Sequence, residues 1–599
     1  MPVIIRSLPF FLWVAFSVSL VPWNVAAQSL RGSLQEDGQG SAQAGIEVLR
    51  LPAVRPEGGT PGGRLVLALR AEPKTFNPVV AMSRSSVTVI QQMHADLVNI
   101  NRLTRETEPA LARRWTASTD GRRYRLELRR GVRFSDGHPL DADDVLFSLQ
   151  VYLDEAVASL NRELLMIDGK PPVVRKIDRY TVEVELAGPY AVGDRLFDDL
   201  AILPEHRLGE AYRSGRFSEA WGPGTSSEEV VGLGPFRLRR YIAGERVELE
   251  RNPYYWKVDA DGRPLPYLDA LTFLIVPSQD AQALRFQAGE SHLIDDLSPQ
   301  SFNALEGYGS ERGFVLQDLG PNLTFQFVVF NLNDLPADSD PARLRRQRWF
   351  RDVRFRQAIS HAIDREGIAQ LIYLGHATPI ATQVTPGNTE WRNRALTPPE
   401  RSVPRARRLL QEAGFHWSED GRLRDAEGVA VEFTLVTNSS TPARVRMNAL
   451  IQEDLRSLGI RLRVVALDLG DLVQRLYDTF DYDAALIGLG GGDIDPNPEM
   501  PMWLFDGGNH LWHLGQKKPA TPWEAEIDAL MRRQMVTLDR TERKRLYDRV
   551  QELVAENVPL VFLVSPNVLV GARRDLGGFQ PTILEHPTLW NVEQLYWRT

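Results

Sequence analysis

The segment Leu128-Arg129-Arg130-Gly131-Val132-Arg133-Phe134-Ser135-Asp136-Gly137 leads directly into Asp141-Ala142-Asp143-Asp144-Val145. Just upstream, Tyr124, Leu126 and Leu128 alternate with Arg125, Glu127 and Arg129. That period of two puts apolar side chains on one face of a strand and charged ones on the other. Asp136-Gly137 is a turn pair, since glycine supplies a positive φ at no steric cost. Asp141 reads as a helix N-cap, with Asp144 three residues on in a box-like arrangement.

Other segments extend the pattern. Leu65, Leu67 and Leu69 alternate and predict a strand opening the folded part at Arg64. Phe355, Ala358, Ile359, Ala362 and Ile363 fall at helical spacing, as do Met447, Leu450, Ile451, Leu455 and Leu458. Gly459 stops the second of these helices, and Ile460, Leu462 and Val464 begin a strand. Tyr482 to Leu489 reads as another strand, running into glycines. Helices interleaved with strands, one of them ending in a Gly-rich loop, predict an α/β lobe whose strand ends line a cleft.

The chain has 599 residues, 43% of them hydrophobic, enough for several domains. Its formal charge of −8 argues against a nucleic-acid partner. Cysteine is absent, which excludes disulfides, Cys-ligated metals, Cys nucleophiles and a lipid-modified N-terminal Cys. Arg6 is the only charged side chain before Gln28, Leu8 to Trp23 is mostly apolar, and Val25-Ala26-Ala27 has the small residues of a cleavage site. Residues 1–27 are therefore expected to be a signal peptide cut after Ala27. An uncleaved anchor is the other reading, against which the apolar run is short of the roughly 20 residues a span needs. Residues 28–61 are rich in Gly, Gln, Ser and Pro and are expected to be a disordered linker.

The stretch Glu108-Pro109-Ala110-Leu111-Ala112, with Trp115, Asp120-Gly121 and the Leu128 to Val145 segment, closely resembles the N-terminal signature of the family 5 extracellular solute-binding proteins of ABC transporters. That family includes the oligopeptide- and dipeptide-binding receptors. Glu72 to Pro78, Gly232-Leu233-Gly234-Pro235-Phe236, Arg251 to Trp256, Pro266 to Asp269, Val353 to Arg365 and Ala406 to Phe415 follow in the family's order. The resemblance implies an α/β, two-lobed periplasmic-binding-protein fold with a hinge. Lobe I would comprise 62–103, 232–318 and 575–599, with an extra inserted domain at 104–231 and lobe II at 319–574. It implies a monomeric periplasmic receptor, without cofactor, that closes on a peptide-like solute and delivers it to ABC permease subunits in the inner membrane. The same fold binding an oligosaccharide, opine or metal chelate, or sensing a peptide signal, is the alternative.

In peptide-binding relatives an aspartate after the glycine run meets the ligand's α-ammonium. Here Gly491 and Gly492 precede Asp493, displaced by one position, and Asp495 stands before Pro496. These four are candidate ligand-binding residues, set against a reading in which the aspartates only build the turn. Asn438 falls where dipeptide-binding relatives carry a carboxylate-clamping Arg, and as Asn it also suits a turn. Met82, Ser83 and Ser85 follow the Pro78 segment, where the family's first lobe approaches ligand; Trp391 and Trp512 are candidate pocket aromatics among 13 tryptophans.

His510 and His513 could share a metal if helical, but no third ligand and no H-E-x-x-H accompany them, so no metal site is expected. The seven arginines between Arg343 and Arg356 read as a solvated helix approach rather than a nucleic-acid patch. No G-x-S-x-G, S-x-x-K or P-loop is present. A binding protein with no catalytic residue is expected, with an exported hydrolase as the different-class alternative.

Overall fold

The computed structural model describes residues 46–51, 59–159, 161–167, 169–308, 312–336, 338–490, 494–584 and 587–598. The expected signal peptide at 1–27 lies outside them. In the first half, strands Phe236–Ile242, Arg246–Arg251, Ala270–Ile275 and Arg64–Leu69 form one sheet in that order, the last pair parallel. Leu65, Leu67 and Leu69 are all buried, as their alternation predicts. A second sheet runs Ala112–Ala117, Arg123–Leu128, Thr181–Glu185, Val173–Asp178. Tyr124, Leu126 and Leu128 are buried while Arg123 and Arg125 face solvent. Helix Ala142–Leu153 starts with a complete capping box: Asp141 accepts from the Asp143 N–H at 3.0 Å and Asp144 accepts from the Asp141 N–H at 3.1 Å. Both sheets feed one hydrophobic cluster.

In the second half, five strands stand in the order Arg461–Leu467, Glu432–Asn438, Ala484–Leu489, Phe325–Phe330, Leu560–Phe562, the first three parallel. Phe325–Phe330 is buried along its whole length, as expected of a strand covered on both faces. Helices Val353–Ala362 and Pro442–Arg456 bury the residues that their spacing marked: Phe355, Ala358, Ile359 and Ala362 on one, Met447, Ile451 and Leu455 on the other. Gly459 has φ +80°, and a Cβ there would sit 2.3 Å from the Gly421 carbonyl oxygen, so the helix ends on the residue that can. The halves are joined by the antiparallel strands Phe314–Pro321 and Val564–Arg573.

Part of the expected linker belongs to the fold. Leu49–Arg50 pairs with Lys257–Val258, the Leu51 N–H donates to the Val258 carbonyl at 2.9 Å, and Ile46, Leu49 and Leu51 pack on the first core. Those three apolar residues, spaced in a polar tract, supply enough burial to order the segment. Gly59–Thr60 likewise pairs with Tyr596–Arg598.

The Gly232-Leu233-Gly234-Pro235-Phe236 loop lies flush on the backbone of residues 92–94. Gly234 N–H donates to the Met93 carbonyl at 2.9 Å, and Phe236 N–H to the Gln92 carbonyl at 3.0 Å. A Cβ on Gly234 would come 2.4 Å from the Met93 carbonyl carbon, and one on Gly232 would come 2.0 Å from its oxygen. Main chain cannot yield as a side chain does. We therefore predict that Gly234→Ala costs about 1–3 kcal/mol of stability, read as a lower denaturant midpoint at unchanged slope; an unshifted midpoint would contradict this account of the loop.

Candidate functional site

A cavity of about 1210 Å³ lies between the halves and takes its walls from both. On the first-half side, Asp96 follows helix Arg84–Ile90, and Asp198 and Asp199 come from the segment after the Val192 turn. Carboxylate oxygens of these three residues lie within 4.8 Å of one another. Arg102 answers them, with Nη1 3.3 Å from Asp198 and Nη2 3.7 Å from Asp199. Burial, reinforced by the Asp198 charge, pushes the Asp96 carboxyl up to about 8, against the pull of Arg102, the Asp199 N–H and Lys257. Nearby, Glu593 accepts from Tyr255 Oη at 2.8 Å and from Lys257 Nζ at 2.7 Å. Arg70 pairs with Asp296 at 2.8 Å further along the same wall.

The opposite wall comes from the second half. The N-terminal turn of helix Pro442–Arg456 brings Ser440, Thr441 and Arg446 to the cavity. Arg444, two residues before Arg446, instead donates to Gln326 Oε1 at 2.8 Å. Asp495, Asn497 and Pro498 lie on the same side, as do Tyr373 and His376.

The sequence candidates divide. Met82 lines the cavity and is 65% exposed. Asp495 lines it too, but its carboxylate is already held by a buried bidentate bridge from Arg543, 2.9 and 2.8 Å, so it is a structural anchor of the wall. Gly491, Gly492 and Asp493 lie outside the described residues, between strand Ala484–Leu489 and Asp495. The remaining candidates are not among the residues that line the cavity. Ser83 caps helix Arg84–Ile90 by accepting from the Ser86 N–H at 3.2 Å, and Ser85 is buried. Asn438 closes a turn, accepting from the Ser440 N–H at 3.0 Å. Trp391 is buried beneath Arg543, whose guanidinium carbon is 5.0 Å from the ring centre. Trp512 is buried against His510, ring centres 3.9 Å apart, and donates to Glu524 Oε1 at 2.9 Å.

His510 and His513 turn to different carboxylates, Glu524 and Asp334, each at 3.4 Å. Burial raises the Glu524 carboxyl, but hydrogen bonds from His510, Trp512 and Thr521 outweigh it and hold it down, at about 2. The arginine-rich helix spends its charge on the protein: Arg345 on Glu427 at 2.8 Å, Arg346 on Asp483 at 2.7 Å, Arg351 on Asp334 at 2.7 Å, with Arg356 buried on main-chain carbonyls. Asp96, Arg102, Asp198, Asp199, Arg446 and Arg543 were not singled out in the sequence. Their local contexts are unremarkable, and only the tertiary fold gathers them.

Two α/β halves with a cavity between them that carries charged groups from both walls, joined by paired strands, define a two-lobed binding protein. The profile of the bacterial extracellular solute-binding proteins, family 5 (middle), matches residues 106–510, and the chain belongs to that family. It is 28% identical over 519 residues to a probable ABC transporter-binding protein of Deinococcus radiodurans, covering 83% of this chain and 85% of that one. It is 25% identical over 545 residues to the oligopeptide-binding protein AppA of Bacillus subtilis, covering 89% and 91%. The solved AppA complex with a nonapeptide superposes with TM-score 0.70 at 23% identity, over 90% of this chain and all of that one. NikA from Brucella suis, in complex with Fe(III)-EDTA, superposes with TM-score 0.73 at 22% identity, over 89% and 99%.

The Asp96 site yields a pH prediction. A carboxyl held protonated in the fold, but ionising near its ordinary value of about 3.9 when unfolded, loses native stability as pH rises through that value to about 8. Asp96→Asn removes the loss. The melting-temperature advantage of the variant over the parent should therefore grow from about pH 5 to about pH 9, and a constant or shrinking difference would contradict the assignment.

Proposed function

We propose that this solute-binding protein is an exported receptor that captures a peptide-like solute between its lobes and presents it to the permease subunits of an ABC importer. The observation that carries the reading is the cavity itself. It is walled by both lobes, roomy at about 1210 Å³, and set with charged groups of both signs, which suits a zwitterionic chain better than an apolar ligand. The similarity to AppA, solved with a nonapeptide, supports the same ligand class. A receptor of this kind works as a monomer in the periplasm after its signal peptide is cleaved near Ala27. No helix among the described residues is long and apolar enough to cross a membrane. Ligand touching both lobes favours the closed form by its differential affinity, and that gives the permease a loaded state to recognise. In this reading Asp493, at the end of the glycine run, takes the ligand's ammonium group, and the protein returns its ligand chemically unchanged.

Protein purified from its native host and denatured should release peptides detectable by mass spectrometry, and Asp493→Asn should weaken their rebinding by about tenfold or more. A sugar or a metal chelate in the released fraction would overturn the peptide assignment while leaving the receptor fold intact. Turnover of a peptide or glycan panel would overturn the receptor role itself.

A further inference from the structure

Away from the hinge strands, the lobes meet at the end of helix Pro522–Val536. Ile527 and Met531 of this helix sit in the second-lobe core, but Met535, one turn on, is buried in the core of the first half. The Met535 carbonyl accepts the Ala191 N–H at 2.8 Å. Leu538 follows it across the boundary, so that a Cβ on Gly121 would lie 3.0 Å from Leu538 Cδ2. Tyr190 and Val192, either side of Ala191, line the cavity.

The neighbour of Met535 faces the other way. Gln534 is fully buried, donates to Asn497 Oδ1 at 2.8 Å, and accepts from Arg543 Nη2 at 2.9 Å. Its carbonyl accepts from Arg543 Nε at 3.0 Å. Arg543 is in turn bidentate to Asp495, and both Asp495 and Asn497 belong to the cavity wall. Two consecutive residues thus connect the second-lobe wall of the cavity with the contact to the first lobe. A buried network in which the guanidinium is fully engaged has few alternative arrangements, so a displacement at the wall is passed on rather than absorbed.

We propose that Met535 is a clasp that holds the lobes shut, and that Arg543 is the positioning residue that couples the Asp495–Asn497 cavity wall to it. The coupling is independent of which solute the cavity accepts, and its test needs none.

The chain contains no cysteine, so Val173→Cys on the second sheet of the first half and Val465→Cys on the second-lobe edge strand, both exposed, are unique spin-label sites. Inter-label distances are measured by pulsed electron spin resonance on the full chain, as purified and after unfolding and refolding to strip any solute. Met535→Ala should raise the fraction of long, open distances about tenfold. Arg543→Lys, which keeps the charge but loses the planar fork, should shift the distribution in the same direction. Should Arg543→Lys fail to fold, Gln534→Ala reads the same link. Met531→Ala, inside the second lobe's own core, should lower the melting temperature and leave the distances alone. Parental distances in Met535→Ala, or an equal shift in Met531→Ala, would overturn the clasp. A shift in Met535→Ala with parental distances in the Arg543 or Gln534 variant would overturn the coupling.

Discussion

Strand Val564–Arg573 is the piece of backbone on which both lobes depend. Val564 lies in the second-lobe core, Leu569 in a small cluster between, and Ala572 in the first core. Its partner Phe314–Pro321 runs antiparallel beside it and leaves register between Asp318 and Pro321. At that irregularity Asp318 is fixed by His376 Nδ1 at 2.6 Å and Asn567 Nδ2 at 3.0 Å. Paired strands satisfy each other's main-chain groups, so the connection can be thin without stranding polar atoms. Rotation about such a connection is absorbed by a few backbone dihedrals, whereas either core would have to be repacked to deform. The close approach is strict: a Cβ on Gly571 would come 2.8 Å from Leu316 and 2.9 Å from Phe286.

With the lobes moving as units, the cavity's chemistry follows from what each wall satisfies alone. Arg102 with Asp198, Lys257 with Glu593, Arg70 with Asp296 and Arg543 with Asp495 are all pairs within one wall. None needs the other lobe to be paired, so opening strands none of these charges, and the closed form is favoured by solute and by cross-lobe contacts, the clasp and the Arg105 Nη1 to Thr389 Oγ1 bond at 3.3 Å among them. Asp96, crowded by Asp198 and desolvated, is a group whose charge a cationic ligand atom would restore.

The sequence showed the architecture in considerable detail because the fold is built from local signals. The Asp141–Asp144 capping box, the alternation of Tyr124, Leu126 and Leu128, the helical spacing from Phe355 to Ala362 and the stop at Gly459 each express short-range sterics or hydrogen bonding, and each appears in the structure. The site was much less legible. Trp512 and Trp391 have the character of pocket aromatics, but polar partners draw them into the interior: Glu524, on the next helix, for Trp512, and Arg543, far along the chain, for Trp391. Asp495 was singled out for its position after the glycines, yet its partner lies 48 residues away on another helix. Asp96, Asp198 and Asp199 form a cluster only because the loop after helix Arg84–Ile90 and the segment after the turn at 193–197 converge, which no spacing rule encodes.

Solute binding and lobe closure form one event across the Val564–Arg573 connection. Small-angle X-ray scattering of solute-stripped and solute-loaded protein tests this most directly. A smaller radius of gyration on loading, with a scattering curve that shifts between the two states, is the predicted result. The same radius and curve in both states would contradict it.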